Sequence, residues 1–131
     1  MAGENNFSRL IKPMKPVMND GEFVFCSFKQ YSEFDISEAI CMFREQEGIS
    51  VILPRKIAEE KLYKYAFPAS WITLTVQSSL EAVGLTAVVS RALAENNISC
   101  NVVAGFNHDH IFVARRDAEK AMRILQDLGK K

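Results

Sequence analysis

The sequence predicts an α+β fold made of two tandem halves, each an antiparallel sheet with helices covering one face. Three observations lead there. WITLTVQ (71–77) alternates apolar and polar residues, and Leu85, Val88, Val89, Ala92 and Leu93 then recur at helical spacing. ISCNVVAGF and HIFVAR are two apolar runs joined at NHD, close enough for a hairpin. The second half therefore reads β-α-β-β-α, and the first repeats the theme as β-α-β-α with an uncertain opening segment. That repetition points to a duplicated ferredoxin-like βαββαβ sandwich, with an N-terminal half over 1–66 and a C-terminal half over 67–131. The sheet face without helices must be wet, or covered by the other half or another chain.

Taken in order, the first six residues are polar. FSRLIKPMKPV carries two prolines, which limits it to an edge strand or an extended arm. NDG at 19–21 is a turn. EFVFCSF follows as a strand covered on both sides, with Phe23, Phe25 and Ser27 on one face and Val24, Cys26 and Phe28 on the other. DISEAICMFREQEG reads as a helix: Asp35 caps it with Glu38 three residues on, Ile36, Ala39, Ile40 and Phe43 form the stripe, and Gly48 stops it. ISVILP is a short buried strand, and Pro54 suits the first turn of a helix that turns Ile57, Ala58 and Leu62 inward. YKYAFPAS (63–70) reads as a linker. In the second half, ENN ends the helix that begins near Leu85. Asp117 caps a last helix with Ala118, Ala121, Met122, Leu125 and Leu128 on one face and Gly129 at its end.

Composition excludes several function classes. Sixteen basic and sixteen acidic residues cancel, so nothing draws the chain toward a polyanion, and no nucleic-acid partner is expected. Cys26, Cys41 and Cys100 are isolated and lack CxxC spacing, which argues against a disulfide framework or a zinc site and for small buried side chains in a reducing compartment. No run approaches the roughly 20 apolar residues of a membrane span. The opening MAGENNFSRLIKPMKP has no continuous apolar segment of the secretory kind, so the cytoplasm is the expected location.

WITLTVQSSLEAVGLTAVVSRALAENNISCNVVAGFNHDHIFV resembles an ACT domain, and KPVMNDGEFVFCSF with REQEGISVILPR resembles the N-terminal half of small bacterial proteins built from two such units. The resemblance spans about residues 10 to 128. It implies a regulatory, non-catalytic module that binds a small molecule, most often an amino acid, with no cofactor, and that can pair as a homodimer. It also implies a ligand position where the first strand–helix loop of one unit meets the second strand of a neighbour. Here that means Ser78, Ser79, Val83, Gly84 and Leu85, with Asn101, Val102, Val103 and Gly105.

Physical chemistry gives that loop a case of its own. A helix start presents unpaired N–H groups and partial positive charge, suited to a carboxylate. Ser78 and Ser79 fit capping or a turn equally well. Gly84 permits either close ligand approach or tight helix–sheet packing, and Asn101 can bond a ligand, a backbone edge or water. His108 and His110 share a strand face with Asp109 between them, but no third ligand, nucleophile or phosphate loop accompanies them. The set reads as a polar hairpin, not as a metal or catalytic site.

Overall fold

The computed structural model describes residues 14–75 and 84–130. Its strands are β1 (Pro16–Met18), β2 (Phe23–Phe28), β3 (Cys41–Arg44), β4 (Ile49–Pro54), β5 (Ala66–Leu74), β6 (Asn101–Ala104) and β7 (Asp109–Ala114). Its helices are α1 (Arg55–Glu60), α2 (Leu85–Ala94) and α3 (Ala118–Lys130). They form two compact units, one of residues 20–69 and one that joins the N-terminal segment through Asn19 to residues 70–131. The boundary falls within β5.

In the first unit the strands lie in the order β3-β4-β2-β5. β2 and β4 pair antiparallel from Phe23↔Pro54 to Phe28↔Ile49. Val24, Cys26 and Phe28 face one core with Ile49, Val51, Leu53 and Ala58, as the alternation of EFVFCSF predicts. Phe34 stacks on Phe28 with ring centroids 4.7 Å apart.

Residues 35–47 are not the predicted helix. Asp35 does cap, its carboxylate accepting from the Ser37 amide at 3.0 Å, but the cap serves a single 3-10 turn, Ile36–Glu38. Glu38 then turns to Lys61 at 2.8 Å instead of closing a capping box. From Ala39 the chain is extended, the Ile40 amide donates to the Ile52 carbonyl at 2.7 Å, and Cys41–Arg44 pair with β4. A short stripe of β-branched and aromatic residues favours the ladder once a strand as apolar as ISVILP lies beside it. Gly48 therefore closes a hairpin and stops no helix. Leu62 also departs from expectation. It lies past the end of α1 at φ 59° and is 90% exposed, while Ile57 and Ala58 do turn inward. The stretch read as a linker already contains the start of β5.

The second unit has the order β1-β5-β7-β6. β1 pairs antiparallel with β5 from Pro16↔Leu74 to Met18↔Ile72. β6 and β7 form the expected hairpin, from Asn101↔Phe112 to Ala104↔Asp109. Ile72, Leu74, Ile111 and Val113 turn to one face, where Leu85, Val89 and Leu93 of α2 and Ala121 and Leu125 of α3 cover them. Gly129 lies inside α3 and does not end it.

Both units thus share one strand order: fourth, first, third, second along the ferredoxin-like motif. In the first unit the fourth strand is the start of β5. In the second, β1 from the N-terminal segment takes that place. Met14 sits in this unit's core at 3% exposure.

Candidate functional site

Gly84 opens α2 in the left-handed region, at φ 103°, and its carbonyl accepts the Val88 amide at 3.0 Å. A residue with a side chain is strained there, so glycine suits the helix entry. The next amides lack intrahelical acceptors, as in any first turn. Leu85 itself is 3% exposed and belongs to the core, so only its backbone faces outward chemistry. Ser78, Ser79 and Val83 lie outside the described residues.

The other predicted residues lie together on β6 and its turn. Asn101 is exposed, and its amide donates to the Phe112 carbonyl across its own hairpin at 3.3 Å. Val102 packs on the core. Val103 stands opposite His110, and Gly105 closes the turn, its amide donating to the His108 carbonyl at 2.9 Å. A Cβ at Gly105 would lie 2.8 Å from that carbonyl and 3.1 Å from His110 Nε2, so no side chain fits there. β6 ends the strand order of its unit, leaving the outer edge of the segment free for hydrogen bonding among the described residues.

A polar line that the sequence does not disclose runs over the sheet face away from the helices. The Trp71 indole N–H donates to His110 Nδ1 at 3.0 Å, and Thr73 Oγ1 lies 3.1 Å from the same nitrogen. The Asn19 amide donates to Thr73 Oγ1 at 3.0 Å and to the Trp71 carbonyl at 3.1 Å. Because Nδ1 accepts from the indole, neutral His110 carries its proton on Nε2. Burial pushes the His110 pKa down, the charge of His108 pushes it the same way, and Asp109 opposes them. The alternation of WITLTVQ does place Trp71 and Thr73 on this face. Their partner depends on strand pairing, which alternation does not encode. His108 Nδ1 is buried with no hydrogen-bond partner among the described residues.

Burial raises the pKa of all three cysteine thiols, Cys26, Cys41 and Cys100, so none is activated as a thiolate. Among the described residues no group of three or more His, Cys, Asp or Glu is placed to hold a metal, and no helix is long and apolar enough to cross a membrane.

The strand order shared by the two units, with helices covering one face, defines a duplicated ferredoxin-like fold. The chain belongs to the ACT domain family: models of that domain match residues 2–70 and 66–127. Among solved structures, a protein of unknown function from Vibrio cholerae, called a possible transport protein, is 39% identical. The match covers 97% of this chain and 98% of that one at a TM-score of 0.88. An Agrobacterium tumefaciens protein is 18% identical over 88% of this chain and 89% of its own, with a TM-score of 0.71. The ligand-free regulatory subunit of aspartate kinase from Thermus thermophilus is 9% identical over 86% and 95%, with a TM-score of 0.67. The last two are likenesses of fold. No curated protein matches the chain.

Proposed function

We propose that this chain is a cytoplasmic, non-catalytic regulatory module that binds a small molecule of the amino-acid class. The ligand position runs from Ser78 and Ser79 through Val83, Gly84 and Leu85 to Asn101, Val102, Val103 and Gly105. The observation that carries this reading is the left-handed Gly84 at the start of α2, with the free outer edge of β6 in the same ACT unit. Likeness to a regulatory subunit of aspartate kinase supports the regulatory class. A helix start contributes about 0.3–1 kcal/mol to an exposed carboxylate. A millimolar to micromolar ligand needs roughly 4–8 kcal/mol. Backbone pairing along Asn101–Gly105 therefore supplies most of the affinity.

A thermal-shift screen of the common amino acids, followed by calorimetry on any hit, tests the reading. Saturable binding at millimolar or tighter supports it, and no such binding by any of them sinks it. A second reading, a protein-interaction module that pairs through a sheet edge, as in a homodimer, is favoured by β3. This edge strand carries Phe43 at 70% exposure. A stoichiometric partner or dimer whose formation ignores amino acids distinguishes the two.

A further inference from the structure

The first unit contains a cleft of about 490 Å³ between the segment that follows β2, at Lys29–Tyr31, and the β3–β4 hairpin. That volume suits a small metabolite. Its walls are fixed. The hairpin closes by the Glu45 amide donating to the Gly48 carbonyl at 2.8 Å. Gly48 approaches β2 so closely that a Cβ would lie 2.6 Å from the Phe28 carbonyl oxygen. On the other side the Lys29 and Gln30 amides both donate to one Glu33 carboxylate oxygen at 3.0 Å.

Two cations line this cleft, and among the described residues neither Lys29 nor Arg44 has an ion-pair partner. Arg55, Lys61 and Arg91 all do. Lys29 Nζ is held over the turn by the Glu47 carbonyl at 3.1 Å, which leaves two of its N–H groups for a ligand. Arg44 offers a planar fork that matches a carboxylate. Of the two glutamates that line the cleft, Glu45 already accepts from the Ser50 hydroxyl, and Glu47 adds negative charge at the turn.

We propose that this cleft binds a small dicarboxylate, one carboxylate on the Arg44 guanidinium and the other on the Lys29 ammonium. A single carboxylate answers only one cation, and a third finds no further cation among the lining residues. The cleft lies wholly within one unit. The ligand position proposed above, with Gly84 and Asn101–Gly105, is in the other and does not share a residue with it.

The test is a backbone-amide NMR titration of the full chain with succinate at constant ionic strength. Butyrate and tricarballylate serve as the one- and three-carboxylate comparisons. The expected result is saturable shifts at residues 29–31 and 45–49, with a Kd of about 1 mM, and binding of both comparisons weaker by about tenfold. Arg44→Gln and Lys29→Met each weaken succinate by about tenfold, while Lys29→Arg retains binding. Both positions are exposed, and the spectra themselves report whether the variants fold. Shifts that follow ionic strength alone, or that persist unchanged in Arg44→Gln, overturn the proposal. Amino-acid binding confined to residues 84–85 and 101–105, with no response to succinate, overturns it too and leaves the reading of the other site standing.

Discussion

Replacing Trp71 with phenylalanine removes the indole N–H that donates to His110 Nδ1 at 3.0 Å and keeps a ring to pack on Phe112, whose centroid is 6.1 Å away. Loss of one hydrogen bond costs about 0.5–1.5 kcal/mol net, whereas a buried acceptor with no donor costs about 1–3 kcal/mol. Thr73 decides which figure applies. Its hydroxyl lies 3.1 Å from the same nitrogen and accepts from Asn19, so its proton is free to turn to His110. The single Trp71→Phe variant therefore loses about 1 kcal/mol, plus a smaller packing term. Thr73→Val alone leaves the indole in place and costs a similar amount. With both changes Nδ1 has neither donor, and the loss exceeds the sum of the two by about 1 kcal/mol. Urea unfolding of the four proteins measures this coupling, and nitrogen NMR shifts of His110 report its tautomer. Additivity within about 0.3 kcal/mol, or a neutral ring with its proton on Nδ1, would refute the reasoning.

The same ring sets a pH dependence. Its folded pKa lies below the ordinary value of about 6.5, so as pH falls through that value the unfolded chain takes up the proton first. Stability drops over that interval, levels off once the folded ring is also protonated, and the step is absent in His110→Gln; unfolding midpoints across pH check it. Gly48→Ala places a methyl against the Phe28 carbonyl at φ 155° and is expected to cost about 2 kcal/mol or more, read by thermal or urea unfolding. Removing residues 1–19 strips β1 from β5 and Met14 from the core, so the amides of residues 85–130 should lose protection against hydrogen exchange. Full protection in the truncated chain would show that β1 is dispensable.

Much of the second unit is legible in its residues because each strand has one apolar face. Ile72, Leu74, Ile111 and Val113 alternate with polar or aromatic neighbours, and α2 and α3 repeat at helical spacing. The first unit is harder. Ile36, Ala39, Ile40 and Phe43 satisfy a helical stripe on paper, yet Ile36 and Phe43 are 51% and 70% exposed. What decides there is the neighbouring strand β4, a tertiary effect that outweighs local spacing. Leu62 shows the same limit at a helix end, where one residue of drift turns a side chain out. The candidate site divides similarly. The strain that requires glycine at 84 and the packing that requires it at 105 come from local geometry. The bonds from Trp71 and Thr73 to His110 need the pairing of distant strands.

The place of β1 ties these features together. Each ACT unit has a fourth strand beside its first, and in the second unit β1 fills that place. A strand as short as Pro16–Met18 has little stability alone. It gains a place through its ladder to β5 and through Met14 in the core. Asn19, immediately after it, bonds both Trp71 and Thr73. Asn19 thus holds the Trp71 backbone and the Thr73 hydroxyl, the side chains of these two residues lie on His110 Nδ1, and His110 in turn stands against Gly105 just past β6. A continuous line of contacts thus runs from the N-terminal segment that closes the second unit to the turn that follows β6.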